Sequence, residues 1–256
     1  MPPVATPAII LSTLRYGETS KIVRLATRDF GVRSAIAKGA LRPRSRFGAA
    51  LQLLSGGVAQ LYLSEHSDLH TLGAFDLTRL RAGLASRLDR YAAASAAAEV
   101  MLRFASTDSH PEAFDELEHG LDMLEALPAI AVEPFALRTI WRLVSVLGFE
   151  PALTECVRDG GALAETGPIA FSTSDGGALC ERCAVEHGAT RLPGEARVQL
   201  EALLDPAAEL PDLDGPHLAA HRRLLVRFIR YHLADGAELP ALAFWQDRPW
   251  EAVATR

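Results

Sequence analysis

Cysteine is scarce in this chain. Three residues in 256, all between Cys156 and Cys183, are too few for a disulfide framework and point instead to a local thiol or metal site. Long hydrophobic runs are missing as well. No apolar stretch approaches the ~20 residues that a membrane helix needs. The start, MPPVATPAIILSTLRYGETSK, lacks the basic region, long apolar stretch and cleavage site of a signal peptide. A cytosolic protein with no membrane partner is expected. Lysine occurs only at Lys21 and Lys38, so the choice of arginine at any single position carries no weight. Catalytic signatures are absent too: there is no phosphate-cradling G-x-x-x-x-G-K-[ST] and no G-x-S-x-G elbow. Asp29-Phe30-Gly31 resembles the metal-binding tripeptide of kinases, but without a glycine-rich loop or an H-R-D segment it reads as a hairpin turn. His66 and His70 lie in a strand and hairpin context where a four-residue spacing does not bring them together. No nucleophile or base stands out, so neither an enzyme nor a small-molecule substrate is expected.

What is present is an asymmetry of charge. The net charge is −6, yet residues 1–80 hold ten Arg or Lys against five Asp or Glu, a local +5, which leaves −6 − 5 = −11 for the rest. A basic N-terminal unit on an acidic chain suits a polyanion-binding module attached to a body that does not bind polyanions over its whole surface. A merely solvated basic face is the competing reading.

Segments 8–16, 20–27, 32–38, 58–64 and 69–75 are short and partly alternate in polarity, with breaks at Gly17-Glu18, Asp29-Phe30-Gly31, Lys38-Gly39 and Gly56-Gly57. Five short strands in under 80 residues predict a small closed β-barrel of the OB type. From residue 80 the period becomes helical. Leu80, Leu84, Leu88 and Tyr91 form one stripe, followed by an Ala-rich run of high helix propensity. Ser109 and Glu112 predict a capping box before Phe114, Leu117, Leu121 and Leu124. Leu137, Ile140, Trp141, Val144 and Leu147 form a third stripe, stopped by Gly148. Three antiparallel helices are expected from these stripes. Residues 151–193 lose the helical period, and helical texture returns after them. The last long helix is expected to pack through Leu225, Phe228 and Ile229, with Arg223, Arg227 and Arg230 sharing another face. The expected fold is therefore α+β and multidomain: an OB-fold barrel over 1–79, a helical domain over 80–150 and 194–256, and a zinc-finger-like insertion over 151–193.

Two constellations carry chemistry. The first is KGALRPRSRF, which sets Lys38, Arg42, Arg44 and Arg46 within nine residues. Arg15, Lys21, Arg24, Arg28 and Arg33 lie on or beside the strands before it. A barrel could present these as a basic track, with Tyr16, Phe30, Phe47 or Tyr62 as rings for base stacking. Core packing is the alternative for each ring. The second is the cysteine segment. Cys180 and Cys183 make one C-x-x-C knuckle, and Cys156 with Asp159 repeats that spacing with a carboxylate in place of a thiolate. Structural zinc takes four tetrahedral ligands, so one zinc held by Cys156, Asp159, Cys180 and Cys183 is predicted. His187 is an alternative fourth ligand, and a metal-free core of small buried thiols is the competing reading.

The stretches KGALRPRSRFGAALQLLSGGVAQLYLSEHSDLHTL, LGFEPAL, FSTSDGGALCERC and RYHLADGAEL, in that order, resemble the bacterial recombination mediator family RecO. The resemblance spans nearly the whole chain. It implies an OB-fold, a helical domain and an inserted zinc-finger-like element. It also implies a non-enzymatic, nucleoid-associated activity: binding single- and double-stranded DNA, annealing complementary strands and, with RecR, helping to load RecA onto strands coated by single-stranded DNA-binding protein. Many members carry four cysteines in the insertion and others none. Members also capture the acidic, Phe-ending tail of the single-stranded DNA-binding protein on the helical domain, for which Arg138, Trp141 and Arg142 are the candidates here. A protein-interaction scaffold and an RNA-binding OB protein are the alternatives.

Overall fold

The computed structural model describes residues 2–254 except 106, 188 and 235; the side chains of residues 186, 187 and 252–254 also lie outside the described part. Two compact units divide the chain, residues 1–127 and 128–256. Among the described residues no helix is long and apolar enough to cross a membrane.

The first unit is built on a closed five-stranded barrel, the OB-type architecture expected from the alternating pattern. Strands β1 (Val4–Tyr16), β2 (Ser20–Thr27), β3 (Gly31–Ala37), β4 (Gly56–Tyr62) and β5 (Leu69–Arg79) run in the order β1-β2-β3-β5-β4. The barrel closes through the parallel β3–β5 pair and the antiparallel β1–β4 pair. Alternation sends Ala8, Ile10, Val23, Leu25, Ala35, Ala59, Leu61 and Leu72 into one core. Gly56-Gly57, expected as a break, instead begins β4. A Cβ on Gly57 would sit 2.4 Å from the Asp76 carbonyl oxygen, so glycine is what lets β4 and β5 approach here.

The same unit holds α1 (Leu88–Phe104) and α2 (Pro111–Ala126). The stripe expected at Leu80, Leu84, Leu88 and Tyr91 does not form. Residues 82–86 make a short 3-10 turn, and Arg87 is extended, which ends it before α1 starts. Only Leu84 of the four is buried, while α1 packs instead through its alanines, Val100 and Met101. Small side chains leave no hydrophobic periodicity to read, yet they allow close helix approach. The Ser109 capping box is also absent. His110 is the N-cap, Pro111 opens the helix, and the Ser109 hydroxyl donates to the Arg28 carbonyl at 3.2 Å. Phe114, Leu117, Leu121 and Leu124 are buried as expected.

The second unit begins with α3 (Ala129–Val144), whose Leu137, Ile140, Trp141 and Val144 are all fully buried. A π-type turn follows, ended by Gly148 at φ 93°, a conformation other residues rarely adopt. Then come β6 (Ile169–Ser172), β7 (Gly177–Leu179), α4 (Glu181–His187) and β8 (Thr190–Leu192), with the small sheet ordered β7-β6-β8. Helices α5 (Gly194–Leu204), α6 (Gly215–His232), α7 (Pro240–Asp247) and α8 (Pro249–Ala254) complete the chain. α6 packs through Leu225, Phe228 and Ile229, and Trp141 meets Phe228 at 5.3 Å between ring centroids.

Polar groups are buried in this core too. His221 of α6 pairs through Nε2 with Gln199 Oε1 of α5 at 3.0 Å. Burial, and to a lesser degree the charge of His217, pushes its pKa down to about 4. Unfolded, the ring takes a proton near pH 6.5. The folded state therefore loses stability as pH falls from 6.5 towards 4, by roughly 3 kcal/mol in total. Urea unfolding of the wild type and His221→Gln across pH 7.5 to 5 checks this: the wild type should weaken more steeply than the variant, and equal slopes would refute the assignment.

Candidate nucleic-acid interface and metal centre

Cross-strand register gathers part of the basic track at one end of the barrel. Arg15 lies opposite Lys21 across β1 and β2, and Lys21 lies opposite Ala37, which precedes Lys38. The loop that continues from Lys38 is tied to the β1–β2 turn, because Leu41 N–H donates to the Thr19 carbonyl at 2.8 Å. Arg42, Arg44 and Arg46 are exposed on this loop. Among the described residues, the ion pairs of this unit fall at Arg28, Arg79, Arg81 and Arg87, and none of these six loop and rim cations takes part. An uncompensated cluster of exposed cations on a fixed scaffold is a surface for a polyanion.

The loop is held by its own apolar residues. Phe47 is 2 % exposed and packs inside the barrel with Leu51, so it offers no face to a base. Its ring is a plug, and the Arg46 guanidinium lies 5.1 Å from its centroid. Tyr16 and Tyr62 remain exposed and Phe30 is half-buried. The other candidates separate from the rim. Arg28 makes a bidentate pair with Asp115 at 2.8 Å, and Arg24 is half-buried with Nη2 donating to the Leu102 carbonyl at 3.3 Å. Arg33 is half-buried beside His70.

The candidates on α3 are corrected as a group. Trp141 has no exposed surface. Arg138 donates to the Ala202 and Glu209 carbonyls, both at 2.9 Å, and Arg142 to the Leu204 carbonyl at 3.1 Å. They satisfy the C-terminal carbonyls of α5 and the chain beyond it, a structural use of arginine near a helix end. A groove of about 640 Å³ lies elsewhere in this unit. Its floor includes Phe171, Leu192, Leu224 and Val226, and Arg191, Arg223, Arg227 and Arg230 line it. The helical spacing of the last three marked them as one face, but Arg191 comes from β8 and no local pattern placed it there.

The insertion brings its predicted ligands together. The ligand atoms of Cys156, Asp159, Cys180 and Cys183 all lie within 4.8 Å of one another. Cys156 sits in a turn whose N–H donates to the Gly161 carbonyl, while Cys180 and Cys183 bracket the first turn of α4. Asp159 is doubly oriented. Its Oδ1 accepts from Gly161 N–H at 3.0 Å, and Oδ2 faces the Cys180 and Cys183 sulfurs at 3.3 and 3.5 Å and the Arg182 guanidinium at 2.7 Å. The Cys156 thiol first, then Gly161 N–H, the Cys180 thiol and Arg182, hold the Asp159 carboxyl well below the usual carboxylate range. Burial, with the neighbouring thiols and this carboxylate, pushes the Cys183 thiol up to about 12. As thiolates, three sulfurs crowded this closely around one carboxylate would repel one another, and a divalent cation with tetrahedral preference would relieve that repulsion. The donor set therefore fits zinc. The His187 side chain lies outside the described residues. Around the centre, Arg158 pairs with Asp175 at 2.6 Å, so the two arginines nearest the cluster, Arg158 and Arg182, are already engaged with carboxylates.

Comparison with known proteins divides the chain at the end of the barrel. Residues 1–81 match the family "Recombination protein O N terminal" and residues 85–239 match "Recombination protein O C terminal". "DNA repair protein RecO" of Anaeromyxobacter sp. (strain Fw109-5) is 33% identical over 248 residues, covering 92% of this chain and 93% of the relative. The protein of the same name from Anaeromyxobacter dehalogenans is 34% identical over 249 residues, covering 94% and 95%. That from Symbiobacterium thermophilum is 35% identical over 226 residues, covering 86% and 88%. Barrel, helical unit and both family matches agree over nearly the full length: the chain belongs to the RecO family.

Proposed function

We propose that this chain serves DNA repair and recombination as a non-enzymatic mediator. It binds single- and double-stranded DNA, anneals complementary strands and, with RecR, helps RecA onto strands coated by single-stranded DNA-binding protein. The relatives are named as DNA repair proteins, which supports the broad role. The single observation that supports the DNA-handling part is the unpaired rim of Arg15, Lys21, Lys38, Arg42, Arg44 and Arg46 at one end of the barrel. A cationic surface that neutralises phosphates and leaves base edges free lowers the repulsion between two strands, which is what annealing requires. The assay is annealing of complementary oligonucleotides by the full chain, bare and coated, with and without RecR. Acceleration of the bare-strand reaction is expected, and no acceleration at low salt would overturn the proposal.

Capture of the coating protein's acidic tail is assigned to the α6 groove. Its apolar floor would bury an aromatic end residue, and its four arginines would pair the carboxylates. The insertion over 151–193 is assigned a structural role, as a clip closed by zinc on Cys156, Asp159, Cys180 and Cys183. The carboxylates around it outnumber the arginines, which makes it a poor surface for DNA. Elemental analysis of protein purified without chelator should give one zinc per chain in the wild type and a value near zero in Cys156→Ser. A wild-type value near zero would refute the metal assignment.

A further inference from the structure

We infer that a recess between β2, β3, β5 and Ala105 and Thr107, just after α1, binds a single backbone phosphate of a nucleic acid strand, away from the rim loop. The inference rests on the DNA-binding reading above and adds a discrete site to it. The recess has a volume of about 240 Å³ and is lined by Arg24, Arg33, Ser34, Asp68 and His70 among others. That is below the ~300–1,000 Å³ of ordinary small-molecule pockets, so it suits one compact group rather than a whole nucleotide.

The charges in and beside it are not balanced internally. Arg103, in the last turn of α1, stands near enough to Arg24 that its charge, after burial, lowers the Arg24 pKa. Among the described residues Arg33 Nε is buried with no hydrogen-bond partner, and Nη1 donates to the Val32 carbonyl at 3.5 Å. Among the described residues none of these three guanidiniums has a carboxylate within 4.0 Å, whereas Arg28, Arg79, Arg81 and Arg87 of the same unit each do. Among the described lining residues Arg24 and Arg33 stand against Asp68, a net of +2 − 1 = +1, and the Arg103 charge beside Arg24 adds to it. His70 adds a neutral donor. Its Nδ1 accepts from Ser64 N–H at 3.0 Å, which leaves the proton of the neutral ring on Nε2. Burial, then the charge of Arg33, keeps the ring from taking a second proton.

Half-buried guanidiniums held beside one another raise the energy of the fold unless an anion completes them. The partner chemistry is set by the donors: guanidinium forks match the oxygens of a phosphate, and a bound strand supplies phosphates repeatedly.

The test is the salt dependence of binding of the full chain to a short oligothymidylate and to an abasic deoxyribose-phosphate oligomer of the same length. Arg33→Gln/Arg103→Gln should flatten the slope of log K against log salt by about 0.7–1 for each lost contact, equally on both oligomers. Arg103→Gln alone, at an exposed position, should flatten it in the same direction. Wild-type binding with unchanged slopes in both variants overturns the recess and leaves the rim reading intact. Absence of wild-type binding overturns the DNA-binding reading and the recess with it. Replacing chloride by inorganic phosphate at fixed ionic strength separates the two phosphate sources. A strand that holds the site through its neighbouring phosphates should keep its wild-type salt slope in inorganic phosphate. A wild-type slope that falls in phosphate to that of the double variant would assign the recess to the free ion and overturn the proposal.

Discussion

Arg222→Leu is expected to destabilise the second unit by about 3–5 kcal/mol, because it leaves the Glu133 carboxylate buried without its cation. Arg222 of α6 and Glu133 of α3 are each 8 % exposed and pair directly through Nη1 and Oε1. The pair itself contributes little net stability, since both ions had to leave water to form it. Removing one partner is what costs, and removing both does not. The double variant Glu133→Leu/Arg222→Leu should therefore regain most of the loss, to within about 1 kcal/mol of the wild type or above it. Urea denaturation of the three proteins measures this. A single-variant loss below about 1 kcal/mol would mean that the Glu133 side chain reaches water and that α3 and α6 are less tightly packed than described.

The second large effect is on DNA. Arg42→Ala/Arg44→Ala/Arg46→Ala should lower affinity for single-stranded DNA on the order of 100-fold at low salt and flatten the salt slope by about 2, from ~0.7 per lost phosphate contact. Stability should barely change. The three side chains are exposed, and the loop is held by Phe47, Leu51 and Leu54 in the interior and by Leu41 on the β1–β2 turn. Gly39, at φ 73°, also keeps its left-handed turn without the Arg42 side chain. A fold-neutral variant that loses binding on bases and abasic strand alike would separate phosphate contact from stacking on Tyr16 or Tyr62.

The sequence was most legible where one face of an element is buried and the other wet. The barrel strands and the stripes of α2 and α3 show this, since burial of Phe114, Leu117, Ile140 and Trp141 leaves a period in the chain. It was least legible where the same residue type serves two environments. Phe47 follows a run of arginines and reads equally well as a stacking ring or as a plug; only the path of the loop into the barrel decides. Arg138 and Arg142 share a helix face by spacing, but spacing does not say that the α5 carbonyls lie against that face. α1 hid its packing surface because alanine carries almost no hydropathy contrast, so the larger Leu80, Leu88 and Tyr91, all exposed, drew the reading instead. The cysteine cluster was legible because a C-x-x-C turn is a local geometry. Asp159 followed from the same spacing, whereas its contact with Arg182 needed the fold. Arg191 and Arg103 had no local signal at all, since each acquires its neighbours only through tertiary contact.

The most direct test of the account is the binding of a labelled single-stranded oligonucleotide to the wild-type chain and to the Arg42/Arg44/Arg46 triple alanine variant across a salt series. The expected result is tight wild-type binding at low salt that weakens steeply as salt rises, and a triple variant that is much weaker and less salt-dependent while unfolding at the same temperature. Wild-type binding that the triple variant fully retains, at equal salt dependence, would contradict the assignment of the rim as the phosphate-binding surface.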